Sequence, residues 1–199
     1  MKLAKVLPLR RVRGTSEAMT DEALIAACAV GDAAALGALF DRHHTAVYRF
    51  LARSTGLRAH ELDDVVQGTF TEVIRAARGF RGTASARSWL FGIALNVGRH
   101  YVRGETRRRA TLASVAERND STQADPLERA ERQQQLRRLQ RALDQLSAEQ
   151  REAFVMCELE QVRGVEAAQA LGVREGTLYR RLHEARKLLR RALEGPGDE

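Results

Sequence analysis

The 199-residue sequence has two cysteines, one tryptophan and an aromatic content of only 5%. Cys28 and Cys157 stand far apart with no Cys-x-x-Cys pair, which argues against a disulfide framework and fits a reduced cytoplasm with small buried thiols. With so few aromatics the core must come from Leu, Ala and Val, which favours small helical domains. No apolar run approaches the ~20 residues needed to cross a bilayer. From Met1 to Arg13 the chain is basic with scattered Leu and Val. Arg10, Arg11 and Arg13 follow the apolar residues, so no secretory signal is expected and the chain is placed in the cytoplasm. Catalytic groupings are missing as well. The loop Gly79-Phe-Arg-Gly-Thr-Ala-Ser-Ala86 lacks the Gly-Lys-Ser/Thr of a phosphate loop. His43 and His44 have no third metal ligand at useful spacing, and no nucleophile stands in a pattern with a base. No enzymatic activity, cofactor, metal or small-molecule substrate is therefore expected.

What is present is charge. Charged residues make up 30% of the chain against 44% hydrophobic, and the formal net charge is +7. That balance calls for a polyanionic partner, nucleic acid or an anionic membrane surface. The cations are concentrated in two places. Between Gly172 and Arg191 there are seven (Arg174, Arg180, Arg181, Arg186, Lys187, Arg190, Arg191) against Glu175 and Glu184. Between Phe80 and Arg109 there are seven arginines (81, 87, 99, 103, 107, 108, 109) against Glu105.

The first concentration lies in a helix, tight turn, helix pattern from Gly164 to Lys187. Ala167, Ala168 and Leu171 form one apolar face, Gly172 is a helix-ending residue, Val173 plugs the turn, and Leu178, Leu182, Ala185 and Leu189 form the inward face of the second helix. Its outward face carries Arg174, Thr177, Tyr179, Arg180, Arg181, His183 and Arg186, a set suited to a DNA major groove. Alternating charge on a solvated helix face is the competing reading, which the turn chemistry disfavours.

Earlier in the chain, Thr20-Asp-Glu starts a helix with Leu24, Ile25 and Cys28 inward, and Gly31-Asp32 breaks it. A second helix is expected from about Ala33 to Ser54, with Leu36, Leu39, Phe40, His43, Val47, Phe50 and Leu51 inward, ending at Gly56. A third, over Glu61 to Ile74, turns Leu62, Val65, Val66, Phe70, Val73 and Ile74 inward and Asp63, Asp64, Gln67 and Thr71 outward. That acidic, polar strip on a basic chain suits a protein contact as well as it suits solvent. A fourth spans Arg87 to Arg103. Its arginines, the loop before it, Asn96 and the aromatics Phe80 and Trp89 suit unpaired nucleic acid, although Trp89 also belongs partly to the core. Polar residues and a proline then mark a linker. Leu136, Leu139, Leu143 and Leu146 follow as an amphipathic helix, and Ser147-Ala-Glu-Gln150 is a capping box opening the next, with Ala153, Phe154 and Cys157 inward.

Four stretches, in this order and separation, resemble the extracytoplasmic-function group of the sigma-70 family, over roughly residues 20 to 193. They are Asp63-Asp-Val-Val-Gln-Gly-Thr-Phe70, Phe80-Arg-Gly82, Arg87-Ser-Trp-Leu-Phe-Gly-Ile-Ala-Leu-Asn96 and the run from Leu171 to Arg186. The resemblance implies an all-α chain of two small helical domains joined by a flexible linker. Its parts would be a basic leader (1–19), region two (20–109), the linker (110–131), region four with the helix-turn-helix (132–194) and a disordered tail (195–199). It also implies a division of labour. Asp63, Asp64 and Gln67 would dock on the β′ clamp of core RNA polymerase, with the β flap a further contact of the chain. Phe80, Arg81, Arg87, Trp89 and Asn96 would melt the −10 element and capture a flipped base, with Arg99, Arg103 and Arg107 on phosphates. Tyr179, Arg180 and His183 would read base edges of the −35 duplex, and Arg174, Thr177, Arg181 and Arg186 its phosphates. An anti-sigma factor would hold the protein inactive.

The sequence departs from the family pattern in places. Gly68 replaces an acid, Arg163-Gly164 replaces a capped helix start, Ala167 and Ala170 replace larger aliphatics, and Tyr179 replaces a basic residue. The alternative is a stand-alone helix-turn-helix regulator of duplex DNA, for which residues 61–109 would be superfluous.

Overall fold

The structure, a computed structural model, describes residues 19–111 and 141–194. The expected leader before Met19, the linker beyond Thr111, Leu136, Leu139 and the tail lie outside the described residues. Every regular element described is helical. Thr20 caps α1 (Asp21–Ala29), its hydroxyl accepting from the Ala23 N–H. Asp32 caps α2 (Ala33–Thr55) by accepting from the amides of Ala34 and Ala35, and left-handed Gly56 ends it. Next come α3 (Ala59–Ala76), a single 3₁₀ turn (Ala77–Gly79) and the long α4 (Ala86–Thr111). After a helical turn ending at residue 144, Ser147 and Gln150 form the expected capping box of α5 (Ala148–Phe154). The helix widens into a π turn over Val155–Leu159. The final pair is α6 (Gly164–Leu171) and α7 (Glu175–Glu194), joined at Gly172, whose φ of 68° is the left-handed value a glycine adopts without cost.

Leu24, Ile25, Leu39, Val47, Phe50, Leu51, Val65 and Val73 bury as expected and, with Leu90, Phe91, Ala94 and Leu95 of α4, form the centre of the N-terminal half, while Leu36, Phe40 and His43 of the expected α2 stripe are only half-buried. Phe50 and Phe91 stack there with ring centroids 4.2 Å apart. Ile74 is a correction: it is 44% exposed, not inward. Helical geometry advances about 100° per residue, so with Val73 fully buried its neighbour turns toward the face of Asp63, Gln67 and Thr71. His43 packs as a side chain of the α1–α2 contact, its Nε2 2.8 Å from Asp21 Oδ2.

The two halves are not held apart. One cluster of buried residues runs from Leu24 and Phe50 through Phe91 to Val155, Met156, Ala167, Leu171 and Leu178. A smaller one joins Ala142, Leu143 and Leu146 to Ala185 and Leu189. Helices α4 and α6 approach closely at Gly92. A Cβ placed on Gly92 would lie 3.2 Å from the Cα, Cβ and O of Ala170, so small residues on both sides set the distance. The short side chain of Ala170 therefore admits α4 to within backbone contact. Truncating Phe91 to Ala should cost about 3–5 kcal/mol, since it deletes half of a fully buried ring stack. A denaturant midpoint would show the loss, and an unchanged midpoint would deny the stack a central place in the core.

Candidate promoter-DNA interface

Two cationic surfaces and one acidic surface come out of this fold. On α7 the inward positions Leu178, Leu182, Ala185 and Leu189 are buried, which leaves Arg174, Tyr179, Arg180, His183, Arg186 and Lys187 exposed, with Thr177 and Arg181 half-buried. All seven residues expected to meet duplex DNA thus lie on the outer side of α7 or at its edge. Two of them are already engaged. Arg186 pairs with Glu158, and the Tyr179 hydroxyl lies over Gly164, where a Cβ would come within 2.5 Å of it. Glycine at the start of α6 is thus the residue that lets Tyr179 lie across the helix-turn-helix. His183, Arg186, Lys187, Arg190 and Arg191 border one open surface depression, so the cationic row continues little more than one turn past the residues singled out from the motif.

On α3, Asp63, Asp64 and Gln67 are all exposed, and Ile74 extends their face with an aliphatic group. Near α4, Phe80 and Trp89 form a tilted ring pair, centroids 5.0 Å apart and both half-buried. Arg81, Asn96 and Arg103 are exposed, and Asn96, Arg99 and Arg103 follow one another at helical spacing. The side chain of Arg107 lies outside the described residues.

Arg87 and Arg99 are brought somewhere the motif does not foretell. Arg99 donates from Nε to Glu152 Oε1 at 2.9 Å and through Nη2 to the other carboxylate oxygen. The hydrogen bonds it donates to this bidentate acceptor raise the Arg99 pKa. Arg87 pairs with Glu160, whose second oxygen takes Arg53 Nη1 at 3.0 Å, and the Arg87 guanidinium sits 5.2 Å from the Phe91 ring centre. Glu166 makes the third contact. Its Oε2 accepts from the Ser88 hydroxyl at 2.6 Å, the Ser85 hydroxyl at 2.9 Å and the Ser85 N–H at 3.0 Å, while Arg163 holds Oε1. Burial pushes the Glu166 carboxyl up, but these hydrogen bonds outweigh it and bring the pKa down to about 2. Gln169 adds a 3.4 Å hydrogen bond to Thr83 in the loop before α4.

Sequence reasoning missed Glu152, Glu160, Glu166, Ser85 and Ser88. The signal available was Ser85-Ala-Arg-Ser88 ahead of an apolar run, a helix-start pattern that marks free donors. Glu152 and Glu166 lie among buried apolar residues of α5 and α6, and Glu160 is the residue that ends the π turn. The turn leading to α6 passes through Gln161, a non-glycine residue at φ 53° that is held there at a cost on the order of 1 kcal/mol.

The thiols play no part in these surfaces. Cys28 is buried and Cys157 half-buried, and burial raises both pKa values. Among the described residues no group of three His, Cys, Asp or Glu could hold a metal ion, and no helix is long and apolar enough to cross a membrane.

Comparison with known proteins gives a consistent picture. Residues 39–108 match Sigma-70 region 2 and residues 136–189 match Sigma-70, region 4. The ECF RNA polymerase sigma factor SigM of Mycobacterium tuberculosis (strain H37Rv) is 34% identical over 175 residues, spanning 87% of this chain and 85% of that protein. Among solved structures, CnrH in complex with the cytosolic domain of CnrY superposes with a TM-score of 0.64 at 30% identity, covering 89% of this chain and 99% of the other. The sigma factor RpoE of Bartonella quintana, solved with the anti-sigma factor NepR, shares the fold at a TM-score of 0.63 and 23% identity, over 79% and 96% of the two chains.

The ionisation of Glu166 has a sign that can be checked. A folded pKa of about 2, below the unfolded carboxyl's 4.5, means its contribution to stability is complete above pH 4.5 and is lost as pH falls toward 2. Denaturant midpoints measured across that window should fall less steeply in Glu166→Gln than in the parent chain. Parallel curves would contradict the assigned ionisation.

Proposed function

Since the chain belongs to the extracytoplasmic-function group of the sigma-70 family of RNA polymerase sigma factors, we propose that it directs core polymerase to its promoters by two separate readings of DNA. The unit of residues 132–194 takes the −35 element as duplex, with Tyr179, Arg180 and His183 at base edges and Arg174, Thr177, Arg181 and Arg186 at phosphates. The unit of residues 20–109 takes the −10 element as an opened strand. Phe80 and Trp89 offer aromatic faces to an unstacked base, Asn96 offers an amide to its edge, and Arg81, Arg87, Arg99 and Arg103 lie along its backbone. Asp63, Asp64 and Gln67, with the exposed Ile74 beside them, dock on the β′ clamp, and the C-terminal unit meets the β flap. The protein works in the cytoplasm, contributes specificity without catalysis of its own, and is held by an anti-sigma protein, as the Bartonella RpoE structure records for that protein.

The observation that carries this reading is the pairing of an exposed cationic recognition helix with a second, aromatic and cationic surface on α4. A duplex-binding regulator has no use for the second surface. Co-purification with core RNA polymerase, followed by run-off transcription on genomic fragments, tests it. Stable association and defined start sites are expected; sequence-specific duplex binding without association would leave a stand-alone regulator. On a promoter found this way, Arg180→Ala should cost about 1–3 kcal/mol at a single base pair. An equal loss on every sequence would make Arg180 a phosphate contact instead.

A further inference from the structure

We propose that Gly164 is a positioning residue for −35 reading: it seats the polar tip of Tyr179 against α6, so that the ring, together with Val165, meets the 5-methyl group of one thymine in the major groove. The inference rests on the assignment of α7 to the −35 duplex and names what Tyr179 recognises there.

Three observations support it. The first is the contact itself. A Cβ on Gly164 would lie 2.5 Å from the Tyr179 hydroxyl oxygen, 3.2 Å from Cζ and 3.6 Å from Cε1. The tip and one edge of the ring are therefore turned to the start of α6. The residue is still 54% exposed, so what it offers outward is ring carbon. The second observation is the backbone of Gly164. It is not among the glycines of positive φ, so its own conformation does not require glycine, and alanine is the better helix former. The three atoms nearest to the missing Cβ all belong to Tyr179, which makes this ring the reason for the bare backbone. Positions 164 and 179 are two of the places where the sequence departs from the family pattern, and one contact joins them.

The third observation is where apolar surface is left open. Val165, the residue after Gly164, is 62% exposed. On α7 the exposed Arg180 follows Tyr179, and the exposed His183 stands one turn further on. An apolar spot is thus placed among groups suited to base edges and phosphates. Of the groups that base edges present in the major groove, the thymine methyl is the apolar one, and apolar side chains are what contact it. An alanine at position 164 would collide with the far end of a side chain that can swing aside. The fold would survive, the ring would leave its seat, and the methyl group would go unmet.

The test uses the full chain bound to core polymerase, as the parent and as Gly164→Ala, Tyr179→Phe and Tyr179→Ala. A promoter library randomised through the −35 element gives the sequence the parent prefers. Deoxyuridine then replaces each −35 thymine in turn, which removes a methyl group and nothing else. At one position the replacement is expected to weaken parent binding about fourfold, the value of one methyl group kept from water. Tyr179→Phe retains this deoxyuridine penalty whatever it does to overall affinity, because it retains the ring. Gly164→Ala and Tyr179→Ala bring the penalty close to none, and thermal melting shows the Gly164→Ala chain folded. A parent insensitive to every deoxyuridine overturns the proposal, as does a Gly164→Ala chain with the penalty intact. Loss of the penalty in Tyr179→Phe also overturns it, marking the hydroxyl as the contact. If the parent still selects a −35 sequence in these cases, the promoter reading stands and only the methyl contact is lost. A parent with no −35 preference at all would instead remove the reading beneath it.

Discussion

A carboxylate taken out of water must find donors, and in this protein that requirement joins the two halves. Glu152, Glu160 and Glu166 sit in the C-terminal half, while nearly all of their donors, Arg53, Arg87, Arg99, Ser85 and Ser88, belong to α2, to α4 and to the residue that precedes it. Leaving one buried carboxylate without its partner costs several kcal/mol, so the contact is made as a set or not at all. The apolar surfaces around it, from Phe91 to Ala167 and Leu178, form the same continuous core. Small residues then decide whether the charges can reach each other. Gly92 and Ala170 bring the backbones of α4 and α6 close enough for Glu166 to span the gap to Ser85 and Ser88.

Helix α4 consequently serves two masters with one set of atoms. Its inner side, Leu90, Phe91, Ala94 and Leu95, is fixed in the N-terminal core and gives the helix a rigid seat. Its remaining sides carry the arginines, Asn96 and Trp89. The surface proposed to hold the phosphates of an opened strand is here a surface to which carboxylates of the same chain bind. The same arginine chemistry that seeks anions makes the helix a target for self-contact. The recognition helix α7 shows the same tendency more weakly, in the pair between exposed Arg186 and Glu158.

Much of this was legible in the sequence, because the signals are local. Thr20, Asp32, Ser147 and Gly172 act as the caps and stops their residue types announce, and the leucine spacing of α7 gives its buried face outright. The outward faces of α3 and α7 follow from the same periodicity. Ile74 fails by one position because periodicity does not fix the width of a buried stripe. The association of the halves was not legible. It depends on residues far apart in the chain, 78 positions in the case of Ser88 and Glu166, and a glutamate reads as a solvent-facing residue until its partners are known. Arg87 and Arg99 were expected on the DNA strand; the carboxylates that meet them here could not be read from their own neighbourhood.

The backbone amide of Ser85 reports on this arrangement directly, since its hydrogen is given to Glu166 and to no helical partner. Hydrogen exchange at that amide, followed in the free chain and in its Glu166→Gln form, tests the central claim. Protection in the parent chain that is lost or sharply reduced in the variant is the predicted result. Rapid exchange in the parent chain, or protection unchanged by the substitution, would contradict it.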